Sequence, residues 1–425
     1  MIKPFFSSSS ETKLIQVVYS FFEEITSLAQ KNKKIEIHIM TFSFTEKFIS
    51  DRLLEIVKAH KNVTIKIIAD WGNISEEAGR RVYSLAKLNL ENLQVRFKYD
   101  QPYLWDETHQ KLLWNYNTSL GLLHHRTAVV VVDKKPIKLL TGSFNWTKSA
   151  TKNHENLILL TAFKDSDSNL LNDFEEEFEV IWNDSNLTLS FKDSLIHLGL
   201  VKSYYLENSK ITPKEIHDKI SLYKDLSSAK SIKFNKRLLQ DKAVVAFSSH
   251  HPFKKSRKRG FSKSINDRYF MMMKNSGIEK PVPITITTVA LDIIFRSKPN
   301  TILRVAMFAL SVRVPEYGAL IEAARRKVQV KLLLDRKTNV YAIEKLKAIA
   351  VQENIPLEIR FGKRSMHQKY IVDLCLGNVL TGTANMTTDA SNRHAEHRFI
   401  FRSNKPLAKS FACDFDEIWN RITLR

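Results

Sequence analysis

The chain has 425 residues, 43% of them hydrophobic and 26% charged, enough to bury one large core or two medium ones at roughly 100–200 residues per domain. Lys and Arg number 66 against 45 Asp and Glu, a formal charge of +21, which suits a polyanionic partner such as nucleic acid or an anionic membrane surface. Two cysteines, Cys375 and Cys413, make neither a disulfide framework nor a zinc ligand set; with no signal-peptide pattern at MIKPFFSSSSETK and no run of about 18 apolar residues, the sequence reads as soluble and cytoplasmic, without stable membrane insertion.

In chain order, Phe5-Phe6-Ser7-Ser8 precedes a helical pattern, and the alternating run IEIHIMTFSFT (35–45) reads as a buried strand. The helix LLEIVKAHKN leads from it to a second strand, VTIKIIAD, closing at Asp70; strand, helix, strand is a parallel unit. The stretch YDQPYLWDETHQKLLWNYNTSLG (99–121) follows. Its Tyr103, Trp105, Trp114 and Tyr116 suit a stacking platform for unpaired bases or a lid packed on the core. Then come His124-His125-Arg126, a strand TAVVVVD to Asp133, the turn LLTGSFNWT (139–147), Glu155 in NHENLILL, and an amphipathic helix carrying Phe174, Phe178 and Trp182.

After a polar, helical connecting segment (186–239) the same text begins again. Ala246-Phe247-Ser248-Ser249 answers the first serines, ILRVAMFALSV (302–312) the first strand, LIEAARRKV the helix, and VQVKLLLD, closing at Asp335, the second strand. VLTGTANMT (379–387) matches the turn, Glu396 in RHAEHRFIF matches Glu155, and Phe411, Phe415 and Trp419 repeat the closing helix. The expected organisation is a first half at 1–185, the connector at 186–239, and a second half at 240–425 with a basic insertion at 250–280. That insertion holds Lys254, Lys255, Arg257, Lys258 and Arg259, which suit a phosphate backbone or simply a solvated loop.

Chemistry concentrates where the repeat is strongest. In the second half His367-Gln368-Lys369 opens a strand, so imidazole and ammonium share a face, and the Gly382-Thr383-Ala384-Asn385 turn follows Asp373. The first-half copy is His124-His125-Arg126, Asp133, then Gly142-Ser143-Phe144-Asn145. His109-Gln110-Lys111 repeats the tripeptide but has no such turn at a suitable distance, and His125 is the nearest competitor to His124.

These residues resemble the HxK, Asp, GSxxN signature of the phospholipase D superfamily, present twice, and the local text is most similar to the branch of bacterial endonucleases and mitochondrial cardiolipin hydrolases. The resemblance implies an α/β fold of two sandwich halves about a pseudo-two-fold axis, with mixed sheets flanked by helices. Two departures stand out. Arg126 replaces the family's Lys, a substitution that keeps phosphate binding but is not equivalent. Asp lies nine residues after His124 and six after His367, and the second step changes strand parity, which suggests a bulge there or a structural Asp.

The implied reaction is metal-independent phosphodiester hydrolysis without a cofactor. One of His124 and His367 attacks phosphorus to give a phosphohistidine and the other protonates the leaving group. Glu155 and Glu396 orient the imidazoles across the interface; Lys369, Arg126, Asn145 and Asn385 hold the phosphoryl oxygens, Ser143 and Thr383 complete the turns as substrate-binding residues, and Asp133 and Asp373 complete the motif. Charge favours a nuclease, with DNA ahead of RNA and single strands compatible with the aromatic stretch. A phospholipase or phosphatidyl transferase, and a nucleic-acid-binding subunit that has lost catalysis, are the alternatives. One chain holds both half-sites, so a homodimer or a specificity-giving partner is compatible but not required.

Overall fold

The internal repeat becomes two mixed sheets. In the computed structural model, which describes residues 1–9, 13–31, 33–74, 79–98, 103–106, 111–114, 122–162, 165–184, 188–196, 198–199, 241–248, 270–271, 274, 284–392 and 394–422, the first sheet has eight strands. Their order is β1 (Ile2–Phe6), β9 (Asn156–Thr161), β8 (Lys135–Gly142), β7 (Arg126–Val132), β2 (Ile35–Thr41), β3 (Val63–Asp70), β4 (Leu93–Lys98) and β10 (Thr188–Ser190). The second has seven: β11 (Ala243–Phe247), β17 (His397–Phe401), β16 (Asn378–Gly382), β15 (Lys369–Asp373), β12 (Ile302–Met307), β13 (Gln329–Leu334) and β14 (Leu357–Phe361). Strand for strand the two orders coincide, with β10 the addition. A short hairpin of β5 (Tyr103–Asp106) and β6 (Lys111–Trp114) stands apart.

The sequence accounts for the pairing. β2, β3 and β4 run parallel, as do β12, β13 and β14, because helices Lys47–Ala59 and Arg80–Lys87, and their counterparts Pro315–Arg325 and Val340–Gln352, carry the chain back across the sheet. The remaining strands of each sheet are antiparallel. β7, with its run of four valines, is buried along its whole length, as expected of a central strand covered on both faces.

Two helices fasten the halves together. Asp165–Trp182 packs on β2, β7 and β8 and also on β11 of the other sheet, while Lys405–Asn420 packs on β12, β15 and β16 and also on β1. One apolar cluster joins both sheets through them, with Phe174, Phe178, Phe411 and Phe415 all at 0% exposure. Burying each such ring is worth roughly 1.5–3 kcal/mol, so the repeated aromatic pattern that marks the ends of the halves is the joint between them. The other faces of the sheets carry separate cores under the outer helices.

The first sheet reaches past the expected end of the first half at residue 185, since β10 closes its edge against β4. In the connector 186–239, residues 191–196 are helical and 201–240 lie outside the described residues.

Candidate active site

Both histidine motifs sit at the same end of their sheets. In the first half β7 and β9 begin there and β8 and β1 end there; in the second, β15 and β17 begin and β16 ends. His124 and His367 precede their strands by two residues rather than lying within them, and each is held by the opposite half. The His124 backbone N–H donates to Ala395 O at 3.0 Å, and its Nδ1 meets Glu396 Oε1 at 2.7 Å. The His367 N–H donates to His154 O at 3.0 Å, and its Nδ1 lies 2.7 Å from Glu155 Oε1. Both glutamates are at 0% exposure. Each half therefore supplies an imidazole and orients the other half's imidazole, an exchange that fixes both ring positions.

The cations lie against their own histidines in different ways. Arg126 donates to His124 O at 3.1 Å and to His124 Nε2 at 2.6 Å, and its Nε donates to Asn145 Oδ1. Lys369 donates to His367 O at 2.6 Å. A ring nitrogen that accepts from a guanidinium carries no proton, so His124 is the tautomer with Nδ1–H directed at Glu396 and a lone pair on Nε2. Asn385 Oδ1 accepts from Ala309 N at 3.3 Å. Phe42 and Phe308 stand edge-on to His124 and His367, with centroids 5.0 and 4.9 Å apart.

The turns explain the glycines of the motif. At Gly142 (φ +153°) and Gly382 (φ +156°) a Cβ would lie 2.3 Å from the carbonyl oxygen of Asn156 or His397 on the neighbouring strand; only glycine permits that approach. Ser143 and Thr383 are both at 0% exposure. The Ser143 hydroxyl donates to Glu155 Oε2 at 2.5 Å, and Thr383 Oγ1 accepts from His397 N at 3.1 Å. Here they hold the glutamate strands, a positioning role where the sequence suggests substrate contact.

Asp133 and Asp373 are not in the site. Asp133 is exposed, with φ +49° followed by +66° at Lys134, the conformation of a tight type I′ hairpin turn, which favours Asp at its first position. Its carboxylate accepts from Lys34 N at 3.2 Å. Asp373 ends β15 and accepts from Leu376 N at 3.1 Å. At about 3.3 Å per residue, each lies a strand length from its histidine. The parity change is resolved the same way: β15 and β16 pair in regular register, and the irregularity falls in the first half, between Val130 and Val131. Lys254, Lys255, Arg257, Lys258 and Arg259, and His109 and Gln110 of the rival tripeptide, lie outside the described residues.

Three features escaped the sequence reading. Phe42 and Phe308 occupy matching places in the two repeated strands, a signal that was present. His125 and His397, next to His124 and Glu396 and both at 0% exposure, stack at 5.2 Å with Nδ1 atoms 3.0 Å apart; their counterparts in the repeat are Gln368 and Asn156. Arg398, at 1% exposure, donates to Asn385 O at 2.6 Å and to Glu316 Oε1 at 2.9 Å, so a buried ion pair braces the second turn. Leu157 occupies the corresponding place in the first half.

Burial sets the electrostatics. It holds His124 well below the ordinary imidazole range, with Arg126 adding to the effect, and lowers His367 to about 4. It also brings Lys369 down to about 7 and pushes the Glu396 carboxyl up to about 8. Four buried titratable groups gathered in one place are thus each driven away from their usual range.

The family model described as "Cardiolipin synthase, PLD-like domain" matches residues 26–182 and 292–419. A mitochondrial cardiolipin hydrolase of Chlamydomonas reinhardtii is 28% identical over 146 residues, 34% of this chain and 50% of that protein. One of Canis lupus familiaris is 40% identical over 73 residues, 17% and 26%. The chain thus spans half or less of these relatives. In three dimensions, phosphatidylserine synthase of Haemophilus influenzae Rd KW20 superposes with a TM-score of 0.58 at 13% identity, covering 98% of this chain and 86% of that one, a likeness of fold.

Proposed function

The chain belongs to the phospholipase D superfamily, and from that premise we propose that it is a metal-independent nuclease that cleaves DNA through a phosphohistidine. The observation that carries the chemistry is the reciprocal exchange of imidazole and carboxylate between halves. His124 is the nucleophile, because its Nε2 bears the lone pair while Nδ1–H is anchored on Glu396. Arg126 donates to that lone pair; an arriving phosphate takes over the guanidinium and frees the nitrogen.

His124 Nε2 attacks phosphorus, the P–O bond to the leaving nucleoside breaks, and His367 gives that oxygen its proton. The phosphate anion and Glu155 beside it offset the burial that lowers the basicity of His367. Water then attacks the phosphohistidine, His367 takes the water proton, and the P–N bond breaks to release His124. Arg126, Lys369 and the two asparagine turns surround the equatorial oxygens as charge builds there. The protein's own cations thus fill the place a metal takes in other phosphodiesterases.

Nucleic acid is favoured as substrate by the charge of +21. A phospholipid diester is the competing reading, supported by the names of the relatives. Labelled single- and double-stranded DNA and RNA should be incubated in excess EDTA beside cardiolipin vesicles. Cleavage of DNA that survives chelation and weakens steeply with salt supports the proposal; hydrolysis of lipid alone sinks the nuclease reading, and loss of all activity in EDTA sinks the mechanism. Base-stable, acid-labile labelling of the protein by substrate, absent in His124→Asn, tests the nucleophile.

A further inference from the structure

Beside the active site lies a basic pocket of about 360 Å³ with no part in the chemistry above. It lies between the halves, at the sheet end that carries the catalytic strand ends. Ser7–Ser9 line one side as they leave β1, and Lys363 and Arg364 another as the chain passes from β14 toward His367; His154 and Arg421, with the apolar side chains of Ile418 and Ile422, complete it. The wall is continuous with the site. His154 N donates to Ser365 O at 2.9 Å, and His154 O accepts from His367 N at 3.0 Å.

The pocket is built for an anion. Lys363 and Arg364 are exposed, and neither has an ion-pair partner among the described residues. His154 Nδ1 is buried with no hydrogen-bond partner, and the nearby Arg364 and Arg421 guanidiniums help burial depress its basicity to about 4. The acids at hand are already engaged. Glu417 pairs with Arg421 at 2.6 Å, and Asp414 accepts from Ser8, Gln368 and Tyr370. The repeat gives no such site in the other half, where Asp184 replaces Arg421 and Ala395 replaces His154.

We propose that this pocket is a second phosphate subsite, which holds the phosphate next to the scissile one in a nucleic-acid strand. The inference rests on the nuclease reading and gives the site a polarity: the strand is gripped on one side of the cleavage point only.

Short DNA substrates with a single cleavable phosphodiester, whose neighbour on either side is an ordinary phosphate or a neutral methylphosphonate, provide the test, with bis(p-nitrophenyl) phosphate as a substrate that has no neighbour. In the wild type, neutralising the neighbour on one side should raise KM about tenfold, the effect of one charge-assisted contact, and neutralising the other should change little. Lys363→Ala with Arg364→Ala, and separately Arg421→Ala, should erase that difference and leave bis(p-nitrophenyl) phosphate hydrolysis within twofold. A double variant that keeps the wild-type preference overturns the subsite, as does one that loses both substrates equally. Hydrolysis of the small diester without cleavage of any oligonucleotide by the wild type would instead refute the nuclease reading itself.

Discussion

The two half-sites share a plan and differ in what stands beneath it. Phe42 and Phe308, His124 and His367, Ser143 and Thr383, Asn145 and Asn385, and Glu155 and Glu396 occupy equivalent places. Even the supporting contacts correspond: Thr141 meets His397 at 2.9 Å as Thr381 meets Asn156 at 3.2 Å, and Glu177 meets His125 at 3.3 Å as Asp414 meets Gln368 at 2.8 Å. Yet the layer under His124 holds two stacked histidines where the layer under His367 holds amides, and the cation is Arg on one side and Lys on the other. Duplication preserves the places that must cooperate and frees the rest, so the proposed division into one nucleophile and one acid would rest on the residues that diverged.

That comparison can be broken outright. His124→Ala and His367→Ala should each reduce kcat by at least about 10³-fold, and the double variant should be no worse, since groups that act as one unit do not add; a single variant retaining a tenth of the activity would mean the halves work separately. Next in size, Arg398→Leu copies the first half's residue into the second and strands Glu316, which is at 0% exposure. A loss of about 3–5 kcal/mol in chemical denaturation is expected, partly restored by Glu316→Leu.

Smaller effects sharpen the contrast. Glu155→Gln and Glu396→Gln should each lower kcat about 10²-fold through loss of ring orientation, visible in single-turnover rates. The cations should separate by pH. With the Lys369 amine brought down to about 7, its charge is present below that value and lost above it, so kcat/KM should fall as pH rises from 7 to 9. Lys369→Arg, with a group that stays charged throughout, should flatten that limb. Smallest of all, His125→Gln with His397→Asn, which gives each histidine the residue of its counterpart in the repeat, should cost under about 1.5 kcal/mol and less than tenfold in kcat.

The repeat made most of this legible. Both strand–helix–strand units, the glycine turns, the paired histidines and their two glutamates were all readable, because each depends on a local pattern that occurs twice. Asp133 misled for a physical reason: a hairpin tip and a reaction centre both recruit Asp, and only the fold shows which end of the strand it occupies. Arg398 and the His125–His397 pair were illegible because their partners, Glu316 and each other, are distant in sequence and brought near only by packing. The serine of the GSxxN turn looked like a phosphate ligand, and its bond to Glu155 depends on a strand that had to be in place first.

The exchange of carboxylates between halves also has a consequence for biosynthesis. A ribosome reaches His124, Arg126 and Glu155 early, but the carboxylate that sets the His124 tautomer is Glu396, close to the far end of the described chain. The first half therefore emerges with a nucleophile that has no anchor, and its Glu155 has no imidazole to hold. We expect an isolated fragment of residues 1–190 to be inert and to regain cleavage when mixed with the second half. On the proposed mechanism, cleavage waits until Glu396 has been made and has docked against His124.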